Sequence, residues 1–295
     1  MEGNPRFPSE LDQMRQVKYM KFLRNMAIAT IGGLAVIAGL SGTAAHAAGD
    51  LLVAPTRVIL DGKRGTQVIL NNVGAEETTY RISLEIKRMG EDGRLEDIDP
   101  SATTESEKAA LSLVRYAPRR VTLPPNQPQS IRIGLNPADT LPDGEYRVHM
   151  LFRAIPKTQA VTDEANASDL KIQLIPLYGI TIPIIVRKGD LTATAALANA
   201  RLGRDEDGPV LELDATRKGS RSVYGEFRVM KPGQAKPIIV QKGIAIYPEI
   251  GKRKVDLPLS DEEAAAIRGS EIIIAYHDTP ENGGGMIAEL RTVVR

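Results

Sequence analysis

The feature that most constrains the fold of this chain is a long alternation of apolar side chains near its middle. Every second residue from Leu170 to Val186 is apolar, whereas the interleaved positions are of mixed character. A period of two is typical of a β-strand, because successive side chains point to opposite faces. At about 3.3 Å per residue, this strand would span roughly 55 Å, well beyond the usual length of about 17–20 Å. We therefore expect a strand that is longer than its own domain needs and that offers apolar side chains to another protein.

The N-terminal segment, residues 1–47, has the layout of a secretory signal peptide. Basic residues between positions 15 and 24 precede an apolar run from Met26 to Gly42, and the small-residue site Ala45-His46-Ala47 follows. This layout predicts export, with cleavage after Ala47. An uncleaved membrane anchor is the alternative, but a run of about 17 residues lies at the short end for a membrane span. No second apolar span follows, so we expect no membrane insertion of the mature chain.

Composition excludes several classes of function for the mature chain. The leader holds five of the 38 Lys and Arg residues and three of the 37 Asp and Glu residues, which leaves 33 basic and 34 acidic residues. A nearly neutral chain has no electrostatic basis for binding nucleic acid or anionic lipid. The chain has no cysteine. Its core must therefore come from apolar burial and not from disulfides.

Short alternating segments separated by turn residues indicate an all-β first domain over residues 48–188. About seven such segments occur before Arg187-Lys188-Gly189-Asp190, a polar stretch that marks the predicted domain boundary. Seven strands are typical of an immunoglobulin-like β-sandwich. Residues 52–60 are predicted to form one strand that ends in an Asp61-Gly62 hairpin turn. Residues 101–110 are predicted to form a polar loop that could include a helical turn.

Residues 189–295 show the same pattern of short alternating segments separated by turn residues, which predicts a second small β-sandwich. The sequence Ser260-Asp261-Glu262-Glu263 is a capping box, which predicts a helical turn over Ala264 to Ile267. Aromatic residues make up only 4% of the chain, so both cores are expected to be aliphatic. The predicted fold class is therefore all-β, with two immunoglobulin-like β-sandwich domains after a signal peptide.

Side chains that carry out catalysis or hold cofactors are sparse in the mature chain. Its two histidines, His149 and His277, lie in separate predicted strands, whereas a zinc site needs three or four ligands at characteristic spacing. The chain has no cysteine and no G-x-S-x-G motif, so no nucleophile is indicated. The sequence therefore predicts a protein that is not an enzyme and that holds neither a metal nor a cofactor.

A series of short motifs occurs in order between residues 52 and 187. They are Thr56 to Gly62, Tyr116-Ala117-Pro118 with Leu123-Pro124-Pro125, Ser130 to Ile133, Leu141 to Tyr146, Phe152 to Pro156, and the long strand that ends at Arg187. In this order, and behind a signal peptide, they resemble the periplasmic pilus-assembly chaperones of the PapD-like family. The second half of the chain resembles that family only in size and strand content.

This resemblance implies a periplasmic chaperone that binds pilin-like or coat-like secreted subunits by donor-strand complementation and delivers them to an outer-membrane usher. In that mechanism the long strand, residues 170–186, is added to a subunit that lacks a strand, and its alternate side chains fill the open groove. The expected donor side chains are Leu170, Ile172, Leu174, Tyr178 and Ile180, whereas Ile182, Ile184 and Val186 are expected in the chaperone's own core. Burial of four or five large apolar side chains would contribute roughly 6–15 kcal/mol before ordering costs.

The resemblance also implies a basic anchor for the subunit's C-terminal carboxylate. Arg57 matches the family's basic residue in the cleft between the domains, and its planar fork suits a carboxylate. The family's second anchor, a lysine, aligns with Pro183, which is not basic and lacks an N–H. Arg187 or Lys63 is the candidate substitute, and this departure predicts a divergent member. Pro183 and Pro176 also predict that the strand is locally unpaired or bulged.

Two alternatives stay open at this point. The long strand could be an ordinary, fully paired strand of a sandwich, in which case the protein is an exported structural or adhesive module. The free chaperone could also self-associate through the same strand.

Overall fold

β-Strands make up most of the described chain and build two sandwiches, which confirms the predicted all-β fold class. The computed structural model describes residues 51–61, 65–137, 140–156, 178–280 and 284–295. The predicted signal peptide, residues 1–47, and the first part of the predicted long strand, residues 170–177, lie outside this described set. No helix among the described residues is long and apolar enough to cross a membrane.

Among the described residues, the first sandwich has nine strands in two sheets, a two-stranded hairpin and one α-helix. Its elements are β1 (Leu51–Ala54), β2 (Val58–Leu60), β3 (Thr66–Asn72), β4 (Thr78–Glu85), β5 (Lys87–Met89), β6 (Leu95–Asp97), α1 (Glu105–Leu113), β7 (Val114–Ala117), β8 (Arg120–Leu123), β9 (Gln129–Leu135), β10 (Gly144–Ile155) and β11 (Gly179–Lys188). One sheet has the order β1-β3-β9-β7 and the other β2-β11-β10-β4-β8. Strands β5 and β6 form a separate hairpin.

The core of the first sandwich is mainly aliphatic, with Phe152, Tyr80 and Tyr146 among its members, and it follows the strand period. One cluster contains fully buried side chains from three strands, and those from the same strand are two positions apart. They are Val68 and Leu70 of β3, Met150 and Phe152 of β10, and Ile184 of β11. Ile182 and Val186 belong to the same cluster. The prediction that the last part of the long strand serves the chain's own core is confirmed.

The prediction of one continuous strand over residues 52–60 is wrong. β1 pairs with β3, whereas β2 pairs in parallel with β11 in the opposite sheet. The interruption contains Pro55, which has no N–H to donate to a ladder. The chain therefore changes sheets here, and Arg57 is placed immediately before β2, at the margin of the sandwich.

The prediction of a polar loop with a possible helical turn over residues 101–110 is only partly correct, because the helix is longer than one turn. Residues Glu105–Leu113 form α1, with Thr104 as N-cap in a complete capping box with Glu107. Arg88 donates two hydrogen bonds of 2.7 Å to the Glu107 carboxylate. These bonds, more than any other contact, lower the pKa of Glu107 to about 2. The Thr-x-x-Glu pattern was present in the sequence as a helix start signal, but the polar composition around it obscured the helix.

The second sandwich contains seven strands and one helix. Its elements are β12 (Ala193–Arg204), β13 (Pro209–Gly219), β14 (Val223–Met230), β15 (Ile239–Ile246), β16 (Lys252–Pro258), α2 (Asp261–Ile267), β17 (Glu271–Asp278) and β18 (Met286–Val293). Its sheets have the orders β12-β13-β16 and β15-β14-β17-β18. The rings of Phe227 and Tyr276 stack at 4.4 Å in the core. The predicted helix after Ser260 is confirmed, because Ser260 and Glu263 form the expected capping box.

The two sandwiches are joined by apolar and polar contacts within one compact unit. Met89 and Ile185 of the first sandwich are buried against Ala245 and Tyr247 of the second. The turn of the β5–β6 hairpin also contacts the second sandwich. The carbonyl of Glu91 in this turn accepts a hydrogen bond of 2.6 Å from the Lys254 N–H of β16. The cleft described next lies at this junction.

Candidate functional site

Arg57 lies in the cleft between the two sandwiches. Its Nη1 donates to the Tyr247 hydroxyl at 3.2 Å and its Nη2 to the Ser222 hydroxyl at 3.3 Å. Its guanidinium carbon lies 4.3 Å from the centroid of the Tyr224 ring, which is cation–π geometry. Its Nε is buried and has no hydrogen-bond partner among the described residues. The guanidinium is therefore held in place by neutral groups, and no described carboxylate neutralises it.

The cleft around Arg57 has a volume of about 790 Å³. Ile59 lines it from the first sandwich, and Tyr224, Val240 and Lys242 line it from the second. The strand β14 also contributes Arg228 and Glu226, but these two bind each other, with Arg228 Nε 2.6 Å from Glu226 Oε1. A ligand in this cleft would meet apolar walls and the positive charges of Arg57 and Lys242.

The second basic candidate, Arg187, is already engaged by a carboxylate. Its Nε donates to Glu145 Oε2 at 3.0 Å. The same oxygen accepts from the Ser222 N–H at 3.1 Å and the Ser222 hydroxyl at 3.0 Å. Only 1% of the Glu145 side chain is exposed. Arg187 therefore belongs to a buried junction between the sandwiches, and its charge is balanced there. Lys63, the other candidate substitute, lies outside the described residues.

Pro183 is accommodated in β11 without a bulge. It faces His149 in an unbroken antiparallel register with β10. The parallel pairing with β2 begins one residue later, at Ile184. The sequence predicted that the strand is either unpaired or bulged at Pro183. The structure shows it unpaired on one side and not bulged. The second predicted irregularity, at Pro176, lies outside the described residues.

One edge of β11 has no partner strand among the described residues between Gly179 and Pro183; we call this segment the open edge. The Ala154 N–H donates to the Tyr178 carbonyl at 3.1 Å, so even-numbered residues of this segment hydrogen-bond with β10. The odd-numbered residues, Gly179, Thr181 and Pro183, therefore direct their backbone groups to the open edge. The edge offers the N–H and carbonyl groups of Gly179 and Thr181, whereas the Pro183 carbonyl lies where the pairing with β2 begins.

The predicted donor side chains fall into three groups. Leu170, Ile172 and Leu174 lie outside the described residues. Tyr178 is 46% exposed at the start of the open edge. Ile180 is half-buried and packs against the core of its own sandwich, so its side chain is partly committed to the fold.

His149 of β10 is a buried residue next to this site. In the strand register it lies between Glu85 of β4 and Pro183 of β11, on the face of the sheet that points away from the core of the first sandwich. Only 1% of it is exposed, and neither ring nitrogen has a hydrogen-bond partner among the described residues. Burial, followed by the positive charges of Arg147, Lys87 and Arg57, lowers the pKa of His149 to about 3. The folded protein therefore keeps this histidine neutral at ordinary pH.

His149 is expected to make the protein less stable in acid. An unfolded histidine binds a proton below about pH 6.5, whereas the native one does not until about pH 3. Its contribution is therefore complete above pH 6.5 and is lost as the pH falls toward 3, at up to about 1.4 kcal/mol per pH unit. Urea unfolding of His149→Phe from pH 8 to 4 should show a shallower decline in the free energy of unfolding than wild type. Parallel declines would contradict this assignment.

Sequence reasoning missed the residues of the second sandwich that hold Arg57. Tyr247 and Ser222 are 190 and 165 positions away in the chain. Tyr224 occupies an ordinary alternate position of β14, with no local motif around it. Among the described residues, no three His, Cys, Asp or Glu side chains gather closely enough to hold a metal ion.

No protein-family model matches the chain, and no curated protein sequence matches it. Similar solved structures include the YadV chaperone, which is 13% identical with a TM-score of 0.46, over 82% of this chain and 100% of that chain. The E. coli chaperone DraB is 12% identical with a TM-score of 0.43, over 83% and 96% of the two chains. The CsuC–CsuE chaperone–tip adhesion subunit complex of Acinetobacter baumannii is 12% identical with a TM-score of 0.41, over 83% and 97%. The chain is similar to these solved chaperones over most of its length.

Proposed function

We propose that this protein is a periplasmic chaperone that caps secreted, strand-deficient subunits of a pilin-like or coat-like fibre and delivers them to an outer-membrane usher. The observation that carries the proposal is the open edge of β11, which lies in the same sheet as β2, the strand that directly follows Arg57. A β-strand edge and an un-neutralised cation together suit one kind of ligand, a protein chain that adds a strand and ends in a carboxylate.

The open edge supports strand addition through its backbone groups. An added strand would pair with the N–H and C=O groups of Gly179 and Thr181. The apolar alternation continues N-terminally through Tyr178, Leu174, Ile172 and Leu170. Each large apolar side chain buried in a client's groove would contribute about 1.5–3 kcal/mol. The subunit's own exposed groove would otherwise be an aggregation hazard.

Arg57 supports the docking of the client's terminal carboxylate. Its guanidinium is oriented by Tyr247, Ser222 and Tyr224, and a carboxylate would add the charge-assisted hydrogen bonds that no described residue supplies. Pro183 cannot act as a second anchor, and Arg187 is balanced by Glu145. In this protein the carboxylate is therefore held by Arg57 without the family's lysine.

The open edge can be tested with a proline that spares the fold. Thr181→Pro removes an N–H that points away from β10, and Pro183 shows that this strand accepts proline at the same alternation. A client carbonyl left unpaired costs about 1–3 kcal/mol, so client binding should weaken roughly 5- to 150-fold. The matched control is Thr181→Val, which keeps the N–H and loses only the hydroxyl bond to Glu85.

The measurement is isolation of each tagged variant from the periplasm of the native host, with mass spectrometry of the proteins that accompany it. Wild type and Thr181→Val should carry a small β-rich secreted subunit at equal stoichiometry, and Thr181→Pro should have lost it. A subunit retained by Thr181→Pro would place the client elsewhere. Recovery of the wild-type protein alone, while fibres are being made, would favour an exported structural or adhesive module.

A further inference from the structure

Three exposed arginines form a row across the outward face of the first sandwich. In the strand register, Arg120 of β8 faces Arg81 of β4, and Arg81 faces Arg153 of β10. All three side chains are exposed. The next position in the row is Gly179 of β11. We call Arg120, Arg81 and Arg153 the arginine row; it ends at the open edge.

The arginine row is not neutralised within the described part of the chain. None of its members makes an ion pair or a side-chain hydrogen bond with a described residue. The pKa of Asp97 is lowered mainly by its hydrogen bond to Lys87 at 2.5 Å and only last by the charge of Arg153. Neighbouring strands lie about 4.8 Å apart, and like charges directly opposite each other destabilise a sheet. An anionic partner would relieve this repulsion.

Gly179 leaves the row open toward the position of an added strand. A Cβ at Gly179 would lie 2.9 Å from Leu151 Cδ1, so the Leu151 side chain borders this position and only a glycine leaves room for it. A shallow depression of about 220 Å³, lined in part by Arg81, Ser83 and Arg153, runs beside it. A strand paired with the open edge would lie two strand spacings, about 10 Å, from β10. An extended arginine and an acidic side chain together span that distance over the glycine.

We propose that the client strand carries a carboxylate opposite Gly179, which Arg153 binds, and that Arg81 and Arg120 favour further acidic side chains on the same face. The preferred client is thus a strand with an Asp or Glu at one outward position. This inference rests on the proposed strand addition at the open edge and specifies the chemistry of what is added.

The probe is a pair of fluorescein-labelled ten-residue peptides of alternating valine and threonine, in which one central threonine is replaced by Glu or by Gln. Fluorescence anisotropy with the full mature chain should show the Glu peptide binding about threefold more tightly than the Gln peptide, a preference that weakens with salt. In Arg153→Gln the two peptides should bind equally. The control Arg132→Gln removes an exposed arginine of β9 in the opposite sheet and should keep the preference.

The outcomes separate this inference from the proposed function. Equal binding of both peptides to wild type would overturn the acidic preference and leave strand addition intact. Binding of neither peptide would overturn both. A Glu preference that survives in Arg153→Gln would place the carboxylate elsewhere. If wild type shows no peptide preference but sediments with phosphatidylglycerol vesicles, and Arg153→Gln does not, the row serves a lipid surface and the inference fails.

Discussion

Glu145→Gln is expected to lower the free energy of unfolding by about 3 kcal/mol, because breaking a buried ion pair leaves its partner charge uncompensated. The glutamine has nearly the same shape but cannot balance Arg187, and its amide cannot accept every bond that the carboxylate Oε2 now accepts. Those bonds come from Arg187 Nε and from the Ser222 N–H and hydroxyl. Since Ser222 belongs to the second sandwich, the substitution should also loosen the junction. Urea unfolding at neutral pH measures the loss.

The control for this prediction is Glu289→Gln, which breaks the pair between Glu289 and Arg291 on β18. Their side chains are 32% and 62% exposed, so the pair is worth at most about 1 kcal/mol. A loss in Glu145→Gln no larger than the loss in this control would show that the buried junction is not held by the carboxylate.

Arg57→Ala is expected to weaken client binding roughly 10- to 150-fold, because a hydrogen bond to a charged group contributes about 1.5–3 kcal/mol. The free protein should lose little stability, since among the described residues Arg57 makes two long hydrogen bonds, of 3.2 and 3.3 Å, and a cation–π contact with Tyr224. Arg57→Lys keeps the charge but loses the planar fork, so it should bind at an intermediate level. Titration calorimetry with the purified client gives the affinities.

Two further variants show whether the terminal carboxylate is what Arg57 binds. A client with an amidated C-terminus should bind wild type as weakly as the ordinary client binds Arg57→Ala, and combining both changes should add almost nothing. Lys242→Ala removes an exposed cation from the same cleft and should have a small effect. Full affinity in Arg57→Ala would mean that the client docks without this anchor.

The strands were predictable from sequence because each buries one face. In β14, for example, alternate residues are buried, namely Val223, Gly225, Phe227 and Val229. The amino-acid sequence therefore shows the period of two. The sheet change at Pro55 was not predictable, because the residues on both sides of it are equally strand-like. The helix after Ser260 was predicted, whereas the one after Thr104 was predicted only as a possible turn within a loop, although both have a capping box.

The candidate site was predictable only where a motif carried it. Arg57 was found through its flanking residues, but the groups that hold it come from the other sandwich and have no signal near Arg57 in sequence. The engagement of Arg187 by Glu145 follows from the register between β10 and β11, which places these residues opposite each other. The arginine row depends on the registers of three strands and cannot be seen in the sequence.

The β5–β6 hairpin has a consequence for how a client is received. Its turn binds β16 of the second sandwich, Met89 of β5 is buried at the junction, and the Met89 N–H donates to Glu249 at 3.0 Å. Glu249 also pairs with Arg147 of β10. These contacts fix the relative positions of the groups that line the cleft. Under the proposed function, docking of the client's carboxylate at Arg57 would therefore lose less conformational entropy, because the cleft is preorganised for it.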